Sequence, residues 1–232
     1  ELNIPSAVTW EFTGQQEEQA KEMAFLSKAL LIALFLIFLI IVSQFNSVTT
    51  PFIIGFSVVF SLIGVLLGLV IFQMEFVIIM TMIGIISLAG VVVNNAIVLI
   101  DYTNLLRARR REALGLEEGE SAEDATKLPF SEVNTAIIQG GKTRLRPVLL
   151  TAITTVLGLL PLAIGLNIDF VGLVTNYDPN IYVGGDNNVF WKPMSWAIIF
   201  GLTFATFLTL IIVPVMYWWI ERTTYKWMGR AV

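Results

Sequence analysis

The chain has 232 residues, a net charge of −4, and 56% hydrophobic against 14% charged residues. With a mean hydropathy of +0.79 it lies outside the composition of soluble domains and reads as an all-α integral membrane protein. It contains no cysteine and no histidine, which excludes disulfides, thiol chemistry, His-ligated metals and a histidine general base. No cofactor and no metal site is expected, and the small, unevenly placed charge gives no ground for nucleic-acid binding.

Residues 1–23 precede the first apolar run. Within them, 8–14 (VTWEFTG) reads as a short strand ending at a glycine, and 15–23 (QQEEQAKEM) as a polar helix leading into the membrane. A strand this short is not stable alone, so it is expected to be the remnant of a periplasmic domain outside this chain. With Glu1 first and no signal peptide before the first span, the chain reads as part of a longer polypeptide.

Five apolar segments, 24–42, 51–72, 76–100, 147–166 and 195–220, are long enough as helices to cross a hydrocarbon core of ~30 Å. Gln73, Met74 and Glu75 alone separate the second from the third, which gives a tight helical hairpin. Residues 44–50 make the other short turn, with Pro51 suited to a first helical turn.

The loop 101–146 carries Arg107, Arg109, Arg110, Arg111, Lys127, Lys142, Arg144 and Arg146, and the tail 221–232 adds Arg222, Lys226 and Arg230. The opposite side has Lys21, Lys28 and Lys192. The positive-inside rule then places the basic loop and the C-terminus in the cytoplasm and the N-terminus outside. Within the loop, 114–127 reads as an acidic solvated linker. Residues 130–139 (FSEVNTAIIQ) align Phe130, Val133 and Ile137 on one face, with Ser131 as a cap, and predict a helix along the membrane surface. On the outer side, 167–194 form a long loop rich in Asn, Asp, Gly and Tyr, with 168–174 as a short interfacial helix. Trp191 and Trp196 stand where an aromatic belt would.

Two polar stripes interrupt the apolar spans. At ~100° per residue, Ser87, Gly90, Asn94 and Asp101 share a wedge of roughly 60° on the third span, with Asn95 off that line. On the fourth, Arg144, Thr151, Thr154, Gly158 and Gly165 share a face. Two readings fit. Small residues such as Gly84, Ser87, Gly90 and Gly158 let helices approach closely, with Arg144 snorkelling to the interface and Asp101 merely solvated. Alternatively, Arg144 is a fixed positive charge at the mouth of a proton path, with Thr151 one hydrogen-bonding step deeper. Pro161 and Pro214 are expected kink sites. No Asp, Glu, Lys or Arg stands centrally in any span, so these helices cannot form a complete proton relay alone.

The strings at 45–47 (FNS), 61–64 (SLIG), 84–101 (GIISLAGVVVNNAIVLID), 141–151 (GKTRLRPVLLT), 158–161 (GLLP) and 213–214 (VP) carry a family signature. Over nearly its whole length the chain resembles the resistance–nodulation–division (RND) efflux pumps, in the hydrophobe/amphiphile branch of Gram-negative bacteria. The resemblance implies the last five of twelve transmembrane helices, in a bacterial inner membrane, following the second large periplasmic domain. It also implies a homotrimer that works with a periplasmic adaptor protein and an outer-membrane channel. Such a pump is surrounded by membrane lipid and driven by proton influx, and its missing N-terminal half would be this chain's first partner.

The resemblance further implies a relay joining acidic residues of the absent half to a lysine, an arginine and a threonine of this half. Arg144 and Thr151 match the last two. Asn94 stands where the lysine is expected, and Asn95 matches the asparagine that follows it. A neutral amide cannot exchange a salt bridge, so Asn94 would position water or hydrogen bonds. The coupling candidates are therefore Asn94, Asn95, Arg144, Thr151 and Asp101. The loop 167–194 is longer than the resemblance implies. No nucleophile–base pair or phosphate loop points to an enzyme, so the function implied is secondary transport, a proton antiport exporting amphiphilic or toxic compounds. Two alternatives are a non-transporting structural or assembly half (an auxiliary subunit) and an RND-type role in lipid or protein export.

Overall fold

The computed structural model describes residues 14–45, 49–116, 128–169, 174–177 and 180–227. Each apolar segment falls on one long helix, to within two residues at the ends where the helix is the shorter: α1 (Gln15–Phe45), α2 (Thr49–Ile71), α3 (Ile78–Ala113), α4 (Phe130–Ile164) and α5 (Asp186–Trp227). A two-residue strand pair, β1 (Leu166–Asn167) and β2 (Tyr182–Val183), runs antiparallel between α4 and α5, with Leu166 opposite Val183. All five helices are long and apolar enough to span a membrane. Helices are required there because lipid offers backbone groups no partner.

The helices outrun their apolar centres because the flanking polar residues are themselves good helix formers. α3, with 36 residues, is about 54 Å long at 1.5 Å per residue and projects well past a bilayer core. α1 joins the polar stretch from Gln15 to the first span without a break. α4 and α5 remain helical through Pro147, Pro161, Pro193 and Pro214.

The expected surface helix at 130–139 is instead the first part of α4. Its apolar face does not lie on a membrane: Val133 and Ile137 are buried in a cluster with Leu99, Leu128, Tyr217 and Tyr225, and the Phe130 ring meets those of Trp218 and Tyr225. The projecting ends of α3 and α5 offer that face a protein partner, which the sequence pattern alone does not reveal. Ser131 is not the cap either. Pro129 occupies the N-cap without a side-chain bond, and Ser131 sits inside the helix with its carbonyl accepting from the Thr135 hydroxyl. Residues 8–13 of the strand expected at 8–14, 46–48 of the turn, 117–127 of the linker expected at 114–127 and 170–173 of the interfacial helix expected at 168–174 lie outside the described residues; of that helix, 168–169 are not helical and Val174 is.

α5 is the central helix and packs on α2, α3 and α4, while α1 lies at the edge against α2 and α3. Small residues set these approaches, as is usual for helices in lipid. Gly64 and Gly68 of α2 face Phe204 and Phe200 of α5. Gly201 of α5 is walled in by Leu88, Val65 and the Ser61 carbonyl, so that a Cβ there would lie 2.7 Å from a Val65 methyl. Two hydroxyls in this seam are satisfied on their own helices: Ser61 donates to the Val58 carbonyl (2.7 Å) and Thr206 to that of Leu202 (2.6 Å).

Candidate coupling site

The inward face of α3 consists of Leu88, Ala89, Val92, Val93, Asn95, Ala96 and Leu99, all buried. Ser87, Gly90, Asn94 and Asp101 lie on the other side and are exposed. The adjacent amides therefore part company. Asn95 is 8% exposed within the bundle, whereas Asn94 points away from it and forms no side-chain hydrogen bond among the described residues. On α4, Thr151, Thr154 and Gly158 are likewise exposed. The Thr151 hydroxyl donates to the Pro147 carbonyl (2.7 Å) and that of Thr154 to the Leu150 carbonyl (2.9 Å). Their protons are thus held inward, and their oxygen lone pairs remain available as acceptors.

The glycines separate in the same way. Gly84 packs on α5, where a Cβ would lie 3.0 Å from the Met194 carbonyl and 3.2 Å from Ala197 Cβ. A Cβ at Gly90 or Gly158 would meet nothing within 4 Å, and Ser87 is exposed, so among the described residues none of the three forms a helix contact of that kind. Gly165 is not on the span face at all. It ends α4 as a left-handed C-cap at φ +77°.

Arg144 links the two stripes. Its guanidinium lies over the Tyr102 ring, 4.3 Å from the centroid, a cation–π geometry that is strong where water is thin. Its Nε is buried and without a hydrogen-bond partner among the described residues. Tyr102 directly follows Asp101 in the sequence, the residue that ends the α3 stripe, and no ion pair joins Arg144 to Asp101 among the described residues. Close helix approach makes the contact possible: a Cβ at Gly140 of α4 would lie 2.6 Å from the Thr103 hydroxyl of α3. Arg144 therefore does not simply snorkel into solvent. Tyr102, its platform, carries no signal in the sequence pattern.

A second polar group, also unsignalled, ties α3 to α5. Arg107 donates to the Tyr217 hydroxyl (2.5 Å) and to both Glu221 carboxylate oxygens (2.7 and 3.3 Å). The Tyr217 hydroxyl in turn donates to the side-chain amide oxygen Oδ1 of Asn104 (2.7 Å). The ion pair is sheltered, with side-chain exposures of 12% and 18%. Further out, Arg110 bonds Glu132 of α4, and the Tyr225 hydroxyl donates to the Leu128 carbonyl (2.7 Å). Arg107 is the first basic residue after the α3 apolar run and Glu221 the first acidic one after that of α5, which is the only hint that the sequence offers.

A family model described as the AcrB/AcrD/AcrF family matches residues 1–221. The swarming motility protein SwrC of Bacillus subtilis (strain 168) is 35% identical over 93% of this chain, which spans 17% of that protein. The cobalt-zinc-cadmium resistance protein CzcA of Cupriavidus metallidurans is 28% identical over 94% of the chain and 17% of its own length. The multidrug resistance protein MdtC of Klebsiella pneumoniae (strain 342) is 28% identical over the whole chain and 19% of its own length. Among solved structures, a crystal structure of a heavy metal efflux pump superposes with a TM-score of 0.65 at 26% identity, covering 94% of this chain and 18% of that one. The chain thus spans under a fifth of the length of these relatives.

Proposed function

Because the chain belongs to the AcrB/AcrD/AcrF family of RND efflux transporters, we propose that it is the C-terminal membrane part of a proton-driven permease exporting amphiphilic compounds. In this reading its basic end faces the cytoplasm of a bacterial inner membrane. The full pump is a homotrimer that works with an adaptor protein and an outer-membrane channel. The observation that carries the reading is Arg144, held over Tyr102 at the foot of two uncovered polar stripes. An open polar face on a lipid-length helix calls for a polar neighbour or a water path. The absent half supplies that neighbour together with the titrating acids. Asn94, Thr151 and the parked guanidinium then form the neutral and cationic wall of the path, on which a carboxylate across the gap is stabilised when ionised and released when protonated.

The relatives' names include both metal and multidrug resistance. A metal-exporting reading is favoured by the CzcA and heavy metal pump matches. Against it, this chain offers a travelling metal ion neither histidine nor cysteine.

The test is made on the full-length protein in proteoliposomes carrying an internal pH dye. Arg144→Ala should lower amphiphile-dependent proton flux by about tenfold or more, while Arg146→Ala leaves it within about twofold. Equal, mild effects of the two with normal assembly would reduce Arg144 to a topology-setting charge. Flux driven by divalent metal ions and not by amphiphiles would favour the second reading.

A further inference from the structure

A groove of about 370 Å³ runs between α4 and α5 at their basic end. Its walls are Ile137 and Ile138 of α4 and Leu210, Pro214, Val215 and Trp218 of α5. Gly141 leaves room at one end and Asn134 supplies a polar group at the other. Neighbouring contacts fix its depth. Gly140 packs on Thr103, and Tyr217 bonds Asn104, both just past the point where the apolar run of α3 ends at Ile100. Leu210, Pro214 and Val215 belong to the apolar run of α5, whereas the α4 wall precedes the apolar run of that helix, so the groove spans from the edge of the apolar zone to the layer of Arg107, Arg110, Glu132 and Glu221. Its flanks are open to the side, with Ile138 50% and Val215 57% exposed.

Arg222 stands one turn beyond Trp218, its guanidinium over the indole at 5.0 Å from the ring centroid. No carboxylate among the described residues pairs with it. Stacking fixes such a cation while leaving its hydrogen-bonding edge free, and that edge suits a phosphate. Lys226 is exposed on the next turn.

A sideways-open apolar groove on membrane-spanning helices does not hold water, which finds too few polar partners there. Left empty, its walls would forfeit their dispersion contacts. A hydrocarbon chain meets the requirement, and a basic mouth at the membrane surface selects the head group. We propose that this groove binds one anionic phospholipid of the leaflet on the basic side, an acyl chain lying between α4 and α5 and the phosphate on Arg222, with the Asn134 amide a further donor. The site is separate from Arg144 and stands whether or not the coupling reading holds.

The test uses the full-length protein in nanodiscs, with a fluorophore on Ile138→Cys at the groove wall and all other reactive thiols removed. Brominated phosphatidylglycerol at one-tenth mole fraction should quench the label about threefold more than brominated phosphatidylcholine at the same fraction. Arg222→Gln should equalise the two lipids, and Val215→Trp, which fills the groove, should abolish the preference with Arg222 still present. Equal quenching by both lipids in the labelled parent means ordinary boundary lipid and overturns the proposal. Quenching by neither means that protein covers the groove, and overturns it too, as does a preference that survives Val215→Trp. Where the Ile138→Cys protein fails to assemble, Leu210→Cys reports from the opposite wall.

Discussion

Two regions of this bundle are built from the same small residues and end up in opposite conditions. In the seam of α2, α3 and α5, Gly64, Gly68 and Gly201 are filled by the side chains of a neighbouring helix. On the outer faces of α3 and α4, Gly90 and Gly158 meet open space, in line with Asn94 and Thr151. What surrounds each glycine separates the two. Beside the seam glycines, the Ser61 and Thr206 hydroxyls are spent on their own backbone, within an otherwise apolar wall. The outer glycines share a stripe with an unbonded amide and end at a carboxylate and a guanidinium. A small residue permits close approach, and its polar companions indicate whether a helix or water is to come near.

The comparison can be broken at several points. Arg107→Ala carries the largest expected effect, because it leaves Glu221 sheltered and unpaired; a loss of about 3–5 kcal/mol is expected. Thermal unfolding of the full-length protein in detergent measures it, and a double replacement, Arg107→Met with Glu221→Met, should recover most of the loss. Gly201→Val comes next, at about 1–3 kcal/mol, because its branched Cβ must displace Leu88 and Val65. Tyr102→Leu removes the platform under Arg144 and should cost about 0.5–2 kcal/mol. Its more telling readout is proton-coupled transport, which should fall together with that of Arg144→Ala if the ring holds the cation in place.

The smallest effect sharpens the contrast most. Gly90→Ala and Gly158→Ala should leave unfolding within about 0.5 kcal/mol while lowering transport, as befits positions bordering a water path. A stability loss at either position as large as that at Gly201 would make the outer stripe a second packing seam instead.

Hydropathy located all five spans but not the ends of the helices, because it marks lipid rather than backbone geometry. α3 runs on through Arg107 to Ala113, and α4 begins at Phe130, far outside its apolar run. Periodicity placed Asn94 with Asp101 and set Asn95 apart, and the burial of the two amides follows that division. The face of 130–139 was legible as apolar, but its partner was not, because Tyr225 lies 97 residues from Leu128. The Arg107–Glu221 pair spans 114 residues, and Tyr102 looks like any interfacial aromatic until Arg144 is seen above it. Contacts of that range follow from helix order and crossing, which no local pattern encodes.

The junction at Gly165 has a practical consequence. Its carbonyl accepts from the Gly184 backbone (2.9 Å) and from the Asn167 amide (3.0 Å), and that same amide also donates to the Gly184 carbonyl (2.7 Å). The two ends of the intervening stretch are thus buttoned to each other at one point, directly where α4 stops. An epitope or a reporter inserted between these two ends is therefore expected to leave the register of the spans on either side unaltered.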